Sequence, residues 1–291
     1  MKITIENYMT NPTFYQTHIP SNFLKMIEKS PSQFTILGAR SENEYAGLII
    51  SKKYKSTSSM KIKYLVVSDW NKHTGLEEMF FYLLEDIARV EHIRHIQFEY
   101  IGDKNDYFYY IDGLLRKNSW TSLHPSTIHY TLLRSQLTTI VRNNKHFRSN
   151  NDLEFFEWGL LPTKNQVELL EGEGNWYPKK QSPFAHSEKY EKFSLGVRAG
   201  HQVIGWFLIQ RVKEHVIHVK SIFLREEFRN AQNSTQLLNM GCIQALKIPN
   251  WQYMTISVDE ENGHLKTYVD RVFRGAIQKK ATLYSSNKKV I

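Results

Sequence analysis

Arg229, Asn230, Gln232, Asn233 and Ser234 fall in a polar loop, "REEFRNAQNS", between a strand-like run, "HVIHVKSIFL", and a helix-like run with Leu237, Leu238, Ile243 and Leu246 on or near one face. A strand that feeds a polar loop opening a helix offers unpaired backbone N–H groups and the positive helix end to an anion. The pattern therefore predicts a seat for a pyrophosphate. A second such junction lies in the first half, where "MKIKYLVVS" leads through Lys72, Gly75 and Glu77 into "EEMFFYLLEDIARV". Further along, Asn262 and Tyr268 follow the run "YMTISV", as Asn105 and Tyr110 follow "HIQFEY". Other chemistries lack their residues. The twelve His show no metal spacing such as His-Glu-x-x-His, and no Gly-x-Ser-x-Gly elbow, P-loop or dinucleotide fingerprint occurs. Cys242, the single cysteine, sits in an apparent helix without an adjacent base and excludes an internal disulfide.

The elements that must position these residues come in two copies. Leu37, Gly38, Arg40 and Gly47 recur as Leu195, Gly196, Arg198 and Gly205, and Tyr110, Asp112 and Arg116 recur as Tyr268, Asp270 and Arg274, all at an offset of 158 residues. So long a period implies a duplicated domain rather than a solenoid repeat. Each half reads as an opening strand, a helical stretch, a hairpin, a third long strand, a loop, a helix, a strand, a helix and a closing strand. In the second half the hairpin turns around Ala199, Gly200 and His201. This order predicts an α+β fold with a mixed, mostly antiparallel sheet flanked by helices. The expected division is a domain over 1–135, a linker over 136–151 and a domain over 152–291.

The hydrophobic share of 41% fits an ordered globular chain, and no run reaches the roughly 18 apolar residues of a membrane span. With no signal-peptide pattern at the start, a soluble cytoplasmic protein without membrane contact is expected. The net charge of +9 is shared, with 19 Lys and Arg against 14 Asp and Glu in residues 1–150 and 19 against 15 in residues 151–291. An even excess without a basic tail is compatible with an anionic small ligand in either half, and nucleic acid is not the expected partner. Arg142, Lys145 and Arg148 read as solvated linker.

The order of elements and the two loops resemble the GNAT family of acetyl-coenzyme A-dependent N-acyltransferases, over nearly the whole chain. That family carries Gln/Arg-x-x-Gly-x-Gly/Ala between its fourth strand and third helix. The matching registers here are Arg229 to Ser234 and Lys72 to Glu77, with Leu237–Leu238 and Phe80–Phe81 at the paired helix-opening leucines. The resemblance implies two tandem GNAT-like domains, acetyl-coenzyme A as acyl donor, no metal, and transfer of an acyl group to a primary amine of a small molecule or peptide. It implies Tyr268 as the general acid that protonates the departing thiolate, with Asn262 beside it. It also implies that the backbone around Ile222 and Leu224 holds the thioester and that Arg229, Asn230, Gln232, Asn233 and Ser234 hold the diphosphate.

Two departures set the halves apart. Gln232 and Ser234 replace glycines in the second loop, whereas Glu77 puts a carboxylate at the diphosphate position of the first, a like-charge contact unless it turns away. The second half is therefore expected to be the catalyst and the first a degenerate copy. The strand "HVIHVKSIFL" has no carboxylate, which leaves His218 as its one neutral-pH base. Trp176 and Tyr177, in a stretch running through Pro178, Lys179 and Lys180 to His186, either line the acceptor pocket or form an irregular connection. A catalytically inactive tandem binding protein and an aminoacyl-tRNA-dependent transferase remain as alternatives.

Overall fold

The computed structural model describes residues 3–42, 44–143, 152–184 and 190–290. Along the first half run β1 (Ile3–Asn7), α1 (Pro12–Gln16), α2 (Ser21–Lys29), β2 (Phe34–Ser41), β3 (Glu44–Tyr54), β4 (Ser59–Val67), α3 (Leu76–Val90), β5 (His95–Ile101), α4 (Asp106–Lys117) and β6 (His124–Leu133). Helix α5 (Arg134–Asn143) follows. The second half repeats the order as β7 (Leu153–Glu157), α6 (Thr163–Gly172), β8 (Leu195–Ala199), β9 (Gln202–Lys213), β10 (Val216–Leu224), α7 (Ala231–Lys247), β11 (Tyr253–Asp259), α8 (Gly263–Val272) and β12 (Ile277–Lys289).

The compact units do not coincide with the halves. One comprises residues 1–126 with 282–291, the other residues 127–281. Strand order is β1-β2-β3-β4-β5-β12 in the first unit and β6-β11-β10-β9-β8-β7 in the second. In each, the one parallel pair, β4 with β5 or β10 with β11, sits in an otherwise antiparallel ladder. Each unit is thus α+β with a mixed sheet flanked by helices, as the element order predicts.

The closing strands are exchanged, which a division at 136–151 does not contain. Residues Leu283–Lys289 of β12 pair with β5, and Thr127–Leu133 of β6 pair with β11. Side-chain anchors explain the choice. Arg134, directly after β6, donates from its guanidinium to the carbonyls of Leu246 (2.9 Å) and Trp251 (3.3 Å), and lies over the Trp251 ring. It fixes β6 and the start of α5 to the second unit, so residues 134–143 are a helix of that unit and not linker. Residues 144–151, with Lys145 and Arg148, lie outside the described residues. At the other end, Lys288 donates to the buried Glu85 (2.6 Å) and to the Asn118 carbonyl (2.7 Å), fixing β12 to the first unit.

Alternation along the central strands builds a core on each sheet face. In β3, Ala46 and Ile49 face α3 and α4, and Leu48 and Ile50 face α1 and α2. In β9, Ile204, Phe207 and Ile209 face α7, whereas Val203, Trp206 and Leu208 face α6 and the aromatic segment after it. The recurring glycines mark close approaches. A Cβ at Gly205 would stand 2.4 Å from the Phe223 carbonyl, and one at Gly47 3.0 Å from the Val66 carbonyl. Gly205→Ala is accordingly expected to cost about 1–3 kcal/mol in urea denaturation. Gly113→Ala, in α4 with nothing within 4 Å of the new methyl, should stabilise the protein by about 0.5–1 kcal/mol. Equal effects would refute the close-packing account.

Candidate active site

In both units the parallel strands pair briefly and then part. β4 and β5 are in register only from Ser59 with His95 to Ile62 with Phe98, and β10 and β11 only from Val216 with Tyr253 to Val219 with Ile256. An extra residue falls where each pair opens: the β3–β4 ladder slips around Lys63 and the β9–β10 ladder around Lys220. A bulge bends its strand and aims the following backbone away from the neighbour. Past the split, the inner edges of β4 and β5 carry backbone donors and acceptors that the other strand does not use.

In the first unit this split opens into a cavity of about 480 Å³ lined by Leu65, Val66, Val67, Ser68, Asp69, Lys72, Asn105 and Tyr107. The loop above it holds its own shape. The amides of Asn71 and Lys72 donate to the Ser68 carbonyl, Asn71 donates to the Ser68 hydroxyl, and Thr74 donates to the Asn71 carbonyl. Gly75, at φ +90°, turns the chain into α3 and supplies no side-chain cap, so the first helical N–H groups face the loop without one. Lys72 pairs with Asp69 and lies over the Tyr107 ring.

Glu77 does not occupy the diphosphate position. Its side chain is fully buried beneath the loop, where it accepts from the Tyr110 hydroxyl (3.4 Å) and faces Tyr107. The like-charge objection to the first loop therefore falls, because the phenols of α4 hold the carboxylate inward. Burial, with Glu77 beside it, pushes Tyr110 up to about 12 and raises Tyr107 further above the ordinary phenol value. Both remain protonated at neutral pH. Asn105 caps α4 by accepting from the Phe108 amide (2.9 Å) and also lines the cavity. Tyr107, not the Tyr110 matched by the repeat, is the phenol at the cavity wall. Its signal was the first tyrosine in "NDYFYY", two residues after Asn105.

The corresponding residues of the second unit are largely engaged. Asn230 caps α7 by accepting from the Asn233 amide (2.8 Å), and buried Asn233 donates to the Phe228 carbonyl. Arg229 turns back along the strand, donating to the Leu224 carbonyl (2.6 Å) above the Phe223 ring, so a backbone acceptor at that strand end is already used. Gln232 is exposed in the first turn of α7 and Ser234 half-buried there. Leu224 belongs to the core under α7, and Ile222 packs against it. Asn262 is an exposed cap accepting from the Leu265 amide (3.2 Å). Tyr268 is buried against Phe273, facing Thr235 and Cys242 of α7; its hydroxyl has no well-formed hydrogen bond, and burial pushes it up to about 12.

Trp176 and Tyr177 lie within the core rather than on an open pocket wall. The Tyr177 hydroxyl donates to the Leu169 carbonyl (2.6 Å), and both rings pack on Trp206 and Phe223, with the Arg225 guanidinium 3.9 Å above Trp176. His186 lies outside the described residues. His218, half-buried in the paired part of β10, sits 2.9 Å from the Thr255 hydroxyl. Burial, then Lys220 and His129, hold its pKa below 6.5, so it is neutral at pH 7. Because the folded value is depressed, its cost is absent above pH 6.5. Stability falls as pH drops through that value and stops falling below the folded pKa. Denaturation of His218→Asn between pH 7 and 5 should show a shallower loss than the parent; an identical slope would contradict this.

Among the described residues no group of His, Cys, Asp and Glu could hold a metal ion, and no helix is long and apolar enough to cross a membrane. No protein-family model and no curated protein matches the chain in sequence. Solved structures match in fold. A tandem GNAT protein from the clavulanic acid biosynthesis pathway aligns at TM-score 0.57 and 11% identity over 87% of this chain and 82% of its own. A GCN5-related N-acetyltransferase from Sphaerobacter thermophilus aligns at 0.59 and 12% over 88% and 80%. A glucosamine N-acetyltransferase region of a fungal multi-domain β-N-acetylglucosaminidase aligns at 0.65 and 11% over 98% of this chain and 38% of that one. The chain thus shares the fold of tandem GNAT proteins.

Proposed function

We propose that the chain transfers an acyl group, acetyl in the simplest case, from a coenzyme A thioester to a primary amine, with the donor held in the cleft of the first unit. The observation that carries this is the cavity at the β4–β5 split, which combines a free strand edge, a helix start without a side-chain cap, a lysine and a protonated phenol. Such a set fits a ligand with an amide-bearing arm and a diphosphate. The backbone of Leu65 to Val67 pairs with the arm, and Lys72 with the α3 amides binds the diphosphate. The thioester supplies an activated acyl carbon. One ammonium proton leaves to water; the free amine then forms the C–N bond as the C–S bond breaks, Tyr107 Oη gives its proton to the sulfur, and the second nitrogen proton, lost as the amide forms, restores the phenol through solvent.

The second unit supports a second reading with Tyr268 as the acid, favoured by its unpartnered hydroxyl. Thiol release with a panel of amines tests both. The activity of the fungal neighbour, a glucosamine N-acetyltransferase region, makes glucosamine the first acceptor to try. Tyr107→Phe should depress turnover far more than Tyr268→Phe. The opposite ranking moves the reaction to the second unit, and no thiol release with any amine removes the enzymatic reading in favour of a binding protein.

A further inference from the structure

A second cavity of the first unit, about 380 Å³, lies at the opposite end of the β4–β5 pair. It is lined by Tyr54, Thr57, Ser59, Met60, Lys61, His95, Gln97 and Asn287. Its wall follows from register. Ser59 stands beside His95, and Lys61 beside Gln97, which in turn faces Asn287 of β12, so side chains two apart on three strands project to one sheet face. The opposite face carries Met60, Ile62, Ile96 and Phe98 into the core under α3 and α4. Apart from Met60, every lining residue has a polar side chain, and none is a carboxylate.

Much of that polar capacity is unspent. Among the described residues, His95, Gln97, the side-chain amide of Asn287 and the Tyr54 hydroxyl form no side-chain hydrogen bond, while Thr57 and Ser59 share one between their hydroxyls (2.6 Å). Lys61 is paired outside the cavity wall, with Glu99. Lys52 lies over the exposed Tyr54 ring at the rim (5.5 Å). Donors of several kinds, two cations and an exposed ring together suit a ligand with many oxygen acceptors, a negative charge and a carbohydrate face.

We propose that this cavity binds a small anionic sugar of the sugar-phosphate class. Lys61 and Lys52 meet the phosphate, Gln97, Asn287 and His95 meet hydroxyl groups, and the Tyr54 ring covers the apolar face of the sugar. The site is separate from the cleft at the other end of the strands and does not depend on the acyltransferase reading.

Calorimetric titration of the full chain with glucose 6-phosphate, inorganic phosphate and glucose tests it. Glucose 6-phosphate should bind saturably, about tenfold or more tighter than either fragment, since both halves of the site contribute. Lys61→Gln and Gln97→Ala, each verified as folded by circular dichroism, should each weaken it about fivefold or more while leaving acetyl-coenzyme A binding unchanged. Asn287→Ala serves if either variant fails to fold. No saturable binding, equal binding of phosphate alone, or binding indifferent to these substitutions would overturn the proposal.

Discussion

Removal of residues 282–291 is expected to unfold the first unit while the second keeps its structure. The deleted segment contributes the whole ladder on one side of β5, from Leu283 paired with Ile101 to Lys289 paired with His95. It also removes Tyr284 and Val290 from the core under α3 and α4. The largest single loss is Lys288. Glu85 is 2% exposed and is neutralised by Lys288 at 2.6 Å, with Trp120 donating to its other oxygen at 2.9 Å. Breaking a buried pair by removing one partner costs about 3–5 kcal/mol, and Glu85 would keep only the longer contact with the half-exposed Arg89 at 3.6 Å. Against the 5–15 kcal/mol or so by which a domain is folded, Lys288→Met alone should lower stability severely. Glu85→Leu combined with Lys288→Met should recover part of that loss, since no buried charge then remains and Arg89 keeps its pair with Asp86. Denaturation of the two variants measures this. A double variant no more stable than Lys288→Met would contradict the electrostatic account, and intact amide protection in β5 after truncation would contradict the strand exchange.

Replacing Tyr107 by Phe should reduce kcat about 10²-fold or more, the usual weight of a positioned proton donor, at a stability cost of about 1–3 kcal/mol because the hydroxyl facing the buried Glu77 is lost. Burial and the neighbouring Glu77 both raise the Tyr107 pKa above 10, so the phenol stays protonated throughout the working range. Turnover of the parent should therefore show no loss attributable to Tyr107 between about pH 7 and 10. A basic limb below pH 9 that disappears in Tyr107→Phe would contradict its assignment as the donor. Tyr110→Phe serves as the neighbouring control: it removes the bond to Glu77 but leaves the cavity wall in place.

Element types were legible because periodicity is local. The alternation in "YAGLIIS" and the helical spacing of Phe80, Phe81, Leu84 and Ala88 are written in adjacent residues, and the repeated glycines mark approaches that recur in both copies. The partner of a closing strand is not written that way. "IHYTLLR" and "ATLYSS" would each suit the edge of either sheet, and the choice rests on Arg134 against Trp251 and Lys288 against Glu85, contacts between residues more than one hundred positions apart. The same limit applied at the candidate site. Glu77 read as a carboxylate at the diphosphate position unless it turned away, and the phenols that turn it away lie on another helix. Spacing selected Tyr110, whereas the turn of α4 brings Tyr107 to the cavity. The composition around Trp176 and Tyr177 fitted either an acceptor pocket or an irregular connection, whereas the rings of Trp206 and Phe223 take them into the core.

The acyl donor is expected in the cleft of the first unit and not in that of the second. Hydrogen exchange of the full chain, read by mass spectrometry with and without millimolar acetyl-coenzyme A, locates it directly. Protection confined to the end of β4, the loop through Gly75 and the first turn of α3, residues 65–78, is the predicted result. Protection of residues 222–235 instead, or of neither segment, would contradict it.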